Sequence, residues 1–304
     1  MRAALARAYD SDLAYALRHS PVALASLLLV AVYVLVALLA PLVAPHDPFD
    51  LASLSLLDSF RHPVGGEEWS WSNPLGTDDQ GRDVLSGIIY GVRISLLVGA
   101  AAIVFASVVG VSIGLLSGYL GGAWDAALMR ATDVQLTFPA ILVALMVDGV
   151  ANAVLPKNLH DQMQLWVIVF AIGISRWPQF ARTVRGSTLV ERNRDYVMAA
   201  RVIGLSRLRI MFAHILPNVL GPVLVIATLT LGLAILDEAA LSFLGVGMPV
   251  TQPSLGTLIR LGNDFLFSGE WWVTIFPGVA LALLVLAVNL LGDWLRDALD
   301  PRLR

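Results

Sequence analysis

Long hydrophobic segments without a single charged residue place the strongest constraint on this sequence of 304 residues. A bilayer core about 30 Å thick is crossed by roughly 20 apolar residues in a helix, which rises about 1.5 Å per residue. Four uncharged segments reach that length, and they cover residues 21–45, 94–124, 215–236 and 271–291. With 57% hydrophobic and only 14% charged residues, the chain is too apolar for a soluble domain. The sequence therefore predicts an all-α integral membrane protein.

Two weaker segments, 134–155 and 165–174, bring the predicted number of transmembrane helices to six. Asp148 interrupts the first of them, and the second is short and is followed by Arg176. The basic residues favour six spans, because short cytoplasmic loops are enriched in Lys and Arg. With a cytoplasmic N-terminus, six spans leave five of the 20 basic residues outside, namely Arg61, Arg82, Arg93, Lys157 and Arg260, and the other fifteen inside. Both termini are then expected in the cytoplasm.

The second predicted span carries a regular stripe of glycines. Gly110, Gly114 and Gly118 recur every four residues, and small residues at this spacing let helix backbones approach closely in lipid. Simple helix packing is one interpretation of the stripe, and a moving interface inside a transporter is the other.

Acidic residues dominate the outward-facing parts of the predicted topology. Residues 46–92 form a long acidic segment, in which 83–90 are predicted to form one short interfacial helix. Asp148, Asp237 and Glu238 fall near the outer ends of predicted spans. Because a charge in hydrocarbon costs several kcal/mol, we expect these three carboxylates to be solvated at the interface.

The loop between Arg176 and His214 contains eight arginines and only two acids. Asp195 is predicted to cap a short helix over 196–203, and Gly204 to end that helix in a left-handed conformation. Ser206 is then expected to cap a second helix that runs into the membrane.

The first of these two helices has features of a docking surface. Ala199 and Ala200 are small and permit close approach to a partner groove, while Arg201 beside them presents a forked donor for carboxylates. A helix resting on anionic lipid headgroups would also favour arginines, so the residues alone leave both alternatives open.

A family resemblance enters at this loop. Met198-Ala199-Ala200, Gly204 and His214-Ile215-Leu216-Pro217 resemble the E-A-A-x3-G-x9-I-x-L-P loop of ABC importer permeases, with Met198 in place of the glutamate and His214 in place of the isoleucine. The runs LGTDDQGRDVL at 75–85 and ILDEAALSFLG at 235–245 are similar to the dipeptide/oligopeptide/nickel branch of that family. The NLLGD and LRDALDP runs in the tail are similar as well, and the whole looks most like the "C"-type permease subunit of a dipeptide importer.

This resemblance implies a type I ABC importer permease fold with six transmembrane helices. The permease domain would cover 93–292 and contain a cytoplasmic coupling loop at 176–214, with the first span and outer loop in 1–92 and a cytoplasmic tail at 293–304. The residues assigned to ATPase coupling are Asp195, Tyr196, Met198, Ala199, Ala200, Arg201, Gly204, Leu216 and Pro217.

The resemblance also implies import of dipeptides or short oligopeptides across a bacterial inner membrane, with nickel complexes, opines or oligosaccharides as alternative cargoes. Its implied partners are a homologous second permease, two ABC ATPases, an extracytoplasmic solute-binding protein and membrane lipid. The substrate-binding residues stay unassigned at this stage.

Several classes of function are disfavoured by the residues themselves. A phosphate-binding G-x-x-x-x-G-K-[ST] loop cannot occur, because the only lysine is Lys157, between Pro156 and Asn158. ATP and Mg²⁺ are therefore expected on partner chains, and no catalytic residue or cofactor is expected here. There are no cysteines, and His19, His46, His62, His160 and His214 lack metal-ligand spacing, so no metal site is predicted.

Two further classes are also disfavoured. A net charge of -3 argues against nucleic-acid binding. A secondary carrier working alone would be expected to show midplane acids and paired broken segments in its two halves, and neither is clear in this sequence.

Overall fold

The computed structural model describes residues 16–48, 56–66, 69–156 and 159–299, and these parts of the chain are helical apart from their connecting turns and one isolated bridge between Thr77 and Asp83. The helices are α1 (Pro21–Leu38), α2 (Ala40–Val43), α3 (Val84–Leu120), α4 (Gly122–Thr137), α5 (Ala140–Val154), α6 (His160–Glu191), α7 (Asp195–Val202), α8 (Arg207–Arg209), α9 (Leu216–Phe243), α10 (Leu255–Asn263) and α11 (Trp272–Leu299).

Four helices in the described parts of the chain are long and apolar enough to cross a membrane. They are α1, α3, α11 and the continuous helical segment Arg207–Phe243, which joins α8 to α9 through a π-helical turn. The pair α4 and α5 passes the same test together but is bent by 92° between its two helices. The predicted fourth span lies within α6, which packs along α3 over most of its length.

The third predicted span starts later than expected. Pro139 has no backbone N–H and disfavours helical backbone at the residue before it, so Phe138 is extended and α4 ends at Thr137. The apolar part of the third predicted span is therefore α5, which begins at Ala140 and has 15 residues, and the residues from 134 to 137 belong to the polar helix α4.

Two other expectations about helix limits are also wrong. Residues 83–90 do not form a separate interfacial helix, because Asp83 caps α3 with its Oδ2 atom 2.8 Å from the Ser86 amide and the helix runs on without a break. The arginine-rich segment predicted as loop from Arg176 onward is still helical as far as Glu191, with Pro178 inside α6.

The glycine stripe of α3 faces α6. A Cβ atom at Gly110 would lie 2.4 Å from the Cβ atom of Phe180, and one at Gly118 would lie 2.7 Å from the Cβ atom of Thr188. Only glycine lets the two helices approach this closely, and the contact holds the centre of the larger apolar cluster together.

The three carboxylates expected to be solvated are instead enclosed. Glu238 is fully buried in α9, where the hydroxyls of Ser95 and Ser242 donate to its two oxygens at 2.8 and 2.7 Å. Asp148 is 6% exposed and accepts hydrogen bonds from the side chains of Asn152 and Gln164. These carboxylates tolerate burial because neighbouring polar groups replace water, a pairing that depends on the packing of separate helices. Asp237, the third, pairs with Arg176 and is described below.

Candidate coupling site

The short helix α7 lies between α6 and the helical segment that enters the membrane core. Its limits are one residue earlier than predicted: Arg194 occupies the N-cap position without a side-chain hydrogen bond, and Asp195 is the first helical residue. Asp195 therefore does not cap the helix, although a carboxylate in the first turn still complements the helix dipole.

The end of α7 is a Schellman turn. Gly204 has a φ of +78°, its amide donates to the Arg201 carbonyl at 3.0 Å, and the amide of Leu205 donates to the Ala200 carbonyl at 3.1 Å. This pair of hydrogen bonds satisfies carbonyls that the helix end leaves free. The turn then reverses the chain so that Ser206 accepts a hydrogen bond from the Arg209 amide and caps α8, as expected.

The faces of α7 differ from the sequence-based expectation. Val197 and Ala200 are buried against the core, where Ala200 is only 3% exposed. Ala199 is exposed, so the two alanines do not form one outward small-residue face. The outward surface instead carries the larger apolar side chains Met198, Val202 and Ile203, which are 48%, 87% and 73% exposed. We call Met198, Ala199, Val202 and Ile203 the outer face of α7.

Polar contacts hold the N-terminal end of α7 to both neighbouring helices. The Tyr196 hydroxyl donates to Glu191 of α6 at 2.5 Å and accepts from Asn218 of α9 at 3.1 Å. Partial burial, together with the neighbouring Glu191 carboxylate, raises the pKa of Tyr196 to about 12, so the hydroxyl stays protonated and able to donate at neutral pH. The Tyr196 hydroxyl therefore joins α7 to both α6 and α9.

The C-terminal end of α7 is tied to α3. The guanidinium of Arg201 lies 5.3 Å from the centre of the Tyr119 ring, which is within the range of a cation–π contact. Arg192 donates to the Gly118 carbonyl at 2.8 Å, and this bond fastens the start of the same connection to the last turns of α3. Arg201 is thus directed at least partly to its own chain.

Leu216 and Pro217 mark the place where the segment after α7 changes its helical geometry. The residues Ile210–Ile215 form a π-helical turn, in which the Leu216 amide bonds to the Met211 carbonyl five residues earlier. Because Pro217 has no amide hydrogen to donate, a regular α-helical ladder cannot continue through this point. His214 lies inside the π turn, and its Nδ1 atom is buried without a hydrogen-bond partner among the described residues.

The site thus consists of an exposed apolar helix whose two ends are fastened to the long helices α3, α6 and α9. No group of three or more His, Asp or Glu side chains in the described ranges is placed to hold a metal ion. The arrangement leaves an apolar surface exposed on a helix that is joined to three long helices.

Comparison with known proteins identifies the family. The family model described as binding-protein-dependent transport system inner membrane component matches residues 110–304, which include the whole candidate site. This chain belongs to that family. A second model, the N-terminal TM domain of oligopeptide transport permease C, matches residues 11–58.

Relatives match this transport permease over nearly its whole length. The di/tripeptide transport system permease protein DppC of Pseudomonas aeruginosa is 40% identical over 286 residues, which cover 94% of this chain and 90% of that protein. The dipeptide transport system permease protein DppC of Escherichia coli is 42% identical over 282 residues, covering 93% of this chain and 89% of that protein.

A solved structure confirms the predicted fold. An inward-facing structure of the MetNI methionine ABC transporter aligns with a TM-score of 0.55 and 20% sequence identity, over 69% of this chain and 95% of that one. The permease has the predicted all-helical type I importer fold, and its place in a multi-pass membrane protein family is as expected. The roles assigned to the coupling and glycine residues, and the boundaries at 92, 176, 214 and 292, stay predictions.

Sequence reasoning also missed a polar contact between α6 and α9 in this permease. Arg176 and Asp237 form an ion pair between α6 and α9, although the sequence had suggested that one residue is cytoplasmic and the other near the outer face. The 61 residues that separate them along the chain leave no local signal of this contact.

Proposed function

We propose that this permease carries dipeptides or short oligopeptides into the cytoplasm and is driven by two separate ATPase subunits. The observation that carries the proposal is the outer face of α7, where Val202 and Ile203 are exposed on a helix that side-chain contacts join to α3, α6 and α9. An exposed apolar patch of this kind outside the spans is typical of a protein docking site. The names of the relatives support peptide cargo.

ATP and Mg²⁺ are bound by the ATPase subunits in this proposal, and the permease itself carries no catalytic residue. Its sequence has no phosphate-binding loop, since Lys157 is its only lysine. Closure of the ATPases would move α7, and the Tyr196 and Schellman-turn connections would pass that movement to α9. Such a movement biases the permease only if the ATPases bind one of its states more tightly than the other.

The remaining partners follow from the same proposal. A homologous second permease completes the pathway, an extracytoplasmic solute-binding protein delivers the peptide, and lipid surrounds the apolar helices. The location is the bacterial inner membrane with both termini in the cytoplasm, as the excess of arginine on that side favours. Nucleic acid has no part in this function.

Reconstitution of the complete importer in proteoliposomes tests the proposal. With ATP inside and binding protein outside, we expect uptake of labelled dipeptide, and no uptake without ATP. The Val202→Asp variant should lose both the ATPase subunits and uptake, because a carboxylate would be desolvated at the docking surface. The same change at Val250, which is 37% exposed in the loop after α9, serves as the control.

Three results would contradict the proposal in whole or in part. Gradient-driven peptide uptake by the permease alone would show a secondary carrier, and normal ATPase binding by the Val202→Asp variant would show that α7 is not the docking site. Uptake of a nickel complex, opine or oligosaccharide in place of dipeptide would refute the proposed peptide cargo but not the proposed ATP-driven mechanism.

A further inference from the structure

An ion pair joins the middle of α6 to α9. The Nε and Nη2 atoms of Arg176 donate to the Oδ2 atom of Asp237 at 2.8 and 2.5 Å. The two side chains keep 12% and 14% of their surface exposed, so they are largely but not completely enclosed.

Along α6, this pair lies between two polar contacts nearer the ends of the helix. At one end, Gln164 donates to Asp148 and to the Val246 carbonyl, and towards the other end Arg185 pairs with Asp125. At a rise of about 1.5 Å per residue, the helix from 164 to 185 spans about 32 Å, close to the thickness of a hydrocarbon core. Arg176 lies about 18 Å from the Gln164 end by the same rise, which is near the middle of the bilayer when these two contacts lie at its faces.

Charges at this depth are rare and face a bundle interior or a water-filled cavity rather than lipid. Within the described part of the chain, no group donates to Oδ1 of Asp237 and none accepts from Nη1 of Arg176. The pair therefore retains both a free acceptor and a free donor, and both of its side chains are partly exposed. An ion pair with a free donor and a free acceptor is stable only if its exposed edge borders an aqueous or protein-lined space.

A break in the chain lies beside the pair. The Ser175 hydroxyl is 3.3 Å from the carbonyl oxygen of Ala140, the first residue of α5 after the 92° bend. Pro139 at the N-cap of α5 supplies no side-chain hydrogen bond to the first amides of that helix. Interrupted helices with unpaired backbone groups near the midplane are tolerated where they line a cavity.

We propose that Arg176 and Asp237 line the translocation pathway and contact the charged ends of a zwitterionic peptide, the carboxylate at Arg176 and the ammonium at Asp237. A guanidinium forks onto a carboxylate, and a carboxylate accepts from an ammonium, so the free donor and acceptor match the two ends of the peptide. This recognition rests on the peptide transport proposed above. Contacts of the peptide with Arg176 and Asp237 would lower the free-energy cost of moving its two opposite charges through the centre of the membrane.

Thiol labelling tests whether this edge is part of an aqueous pathway. The chain has no cysteines, so Leu233→Cys and Ala240→Cys introduce single thiols about one turn from Asp237 on α9 and leave the ion pair intact. Val104→Cys, an exposed apolar position of α3, is the lipid-facing control. In the complete importer, with partner subunits made free of cysteine, a charged methanethiosulfonate reagent should label the α9 thiols about tenfold faster than the control, because thiolates form in water. Equal, slow labelling at all three positions would overturn the proposal.

Uptake measurements test recognition. Asp237→Asn should lower dipeptide uptake about tenfold while binding-protein-stimulated ATP hydrolysis is retained. The reason is that loss of one charge-assisted hydrogen bond to the peptide weakens binding by about a factor of ten or more. Asp133→Asn, in the exposed pair with Arg182, should leave uptake unchanged. The exchange Arg176→Asp with Asp237→Arg restores the ion pair but reverses the two charges.

The exchanged variant separates recognition from a structural role. Normal assembly without recovery of uptake supports recognition, whereas full recovery of uptake means that the pair only joins two helices and overturns the proposal. If Asp237→Asn does not assemble, the exchanged variant and the thiol labelling decide the question. Failure of the wild-type importer to carry any peptide would refute the proposed cargo, and labelling at 233 and 240 would still decide whether the pair borders the pathway.

Discussion

Replacement of Gly114 by alanine inserts a methyl group into the contact between α3 and α6. The added Cβ atom would lie 2.6 Å from the Ala181 carbonyl oxygen, 2.8 Å from the Cβ atom of Val184 and 3.0 Å from the Arg185 amide nitrogen. Two of these three atoms belong to the backbone of α6, so no change of rotamer relieves the overlap. The helices must move apart along their longest shared contact.

The expected size of the effect follows from two opposing contributions. Overpacking costs about 1–3 kcal/mol, and alanine recovers about 1 kcal/mol of helix propensity relative to glycine. Gly149→Ala in α5 receives the same propensity gain, but its Cβ atom meets nothing within 4 Å. The two variants should therefore differ in free energy of unfolding by about 1–3 kcal/mol, with the Gly114 variant the less stable.

Unfolding of the purified permease in mixed micelles, followed by tryptophan fluorescence, measures this difference. Valine at position 114 should be worse than alanine, since its branched side chain cannot leave the interface. The reasoning is refuted if Gly114→Ala is as stable as Gly149→Ala, because the close approach of α3 to α6 would then not depend on glycine.

Three further changes probe the coupling site and the buried carboxylate. Gly204→Val should reduce peptide uptake per ATP hydrolysed, because a non-glycine residue in the left-handed conformation costs about 1–2 kcal/mol, and nothing crowds the added Cβ atom. Gly186→Val, at an ordinary helical position, is the control. Unchanged coupling in the Gly204 variant would contradict a role of this turn in passing movement from α7 to α9. Tyr196→Phe should lower the free energy of local unfolding of α7 by about 0.5–1.5 kcal/mol, which is measured as faster amide hydrogen exchange over 195–203. Unaltered exchange would show that the hydrogen bond to Glu191 does not hold the helix. Glu238→Ala should lower the free energy of unfolding by about 1–3 kcal/mol, because it leaves two serine hydroxyls unpaired, while Glu238→Gln should lower it less. Equal losses in the two variants would show that the hydrogen bonds do not contribute to stability.

Local sequence patterns predicted the parts of the candidate site that depend on short-range chemistry. Gly204 predicted the left-handed end of α7, and Ser206 predicted the cap of the next helix, because each acts on neighbouring backbone groups. The inward and outward faces of α7 were predicted incorrectly. Ala200 is buried and Ala199 is not, and this division depends on where α7 packs against the residues of the π turn.

Burial of the acidic residues was also beyond the reach of local patterns. Glu238 was expected at a solvated interface because it falls near the outer end of a predicted span. One of its donors, Ser242, lies four residues later on the same helix. Ser95 lies on another helix, 143 residues earlier in the chain. The break at Pro139 had a local signal, because proline disfavours helical backbone at the residue before it.

The sequence by itself determined that this chain lies in a membrane, because uncharged runs of about 20 residues have no other stable environment. It also determined the family, because the family motifs can be recognised from residue types and their spacing along the sequence. Only the tertiary structure decided which charges meet between the helices, since Arg176 and Asp237 come together through the packing of α6 against α9. Hydrophobicity and turn chemistry are properties of neighbours along the chain, whereas an ion pair between helices depends on depth and rotation that only packing sets.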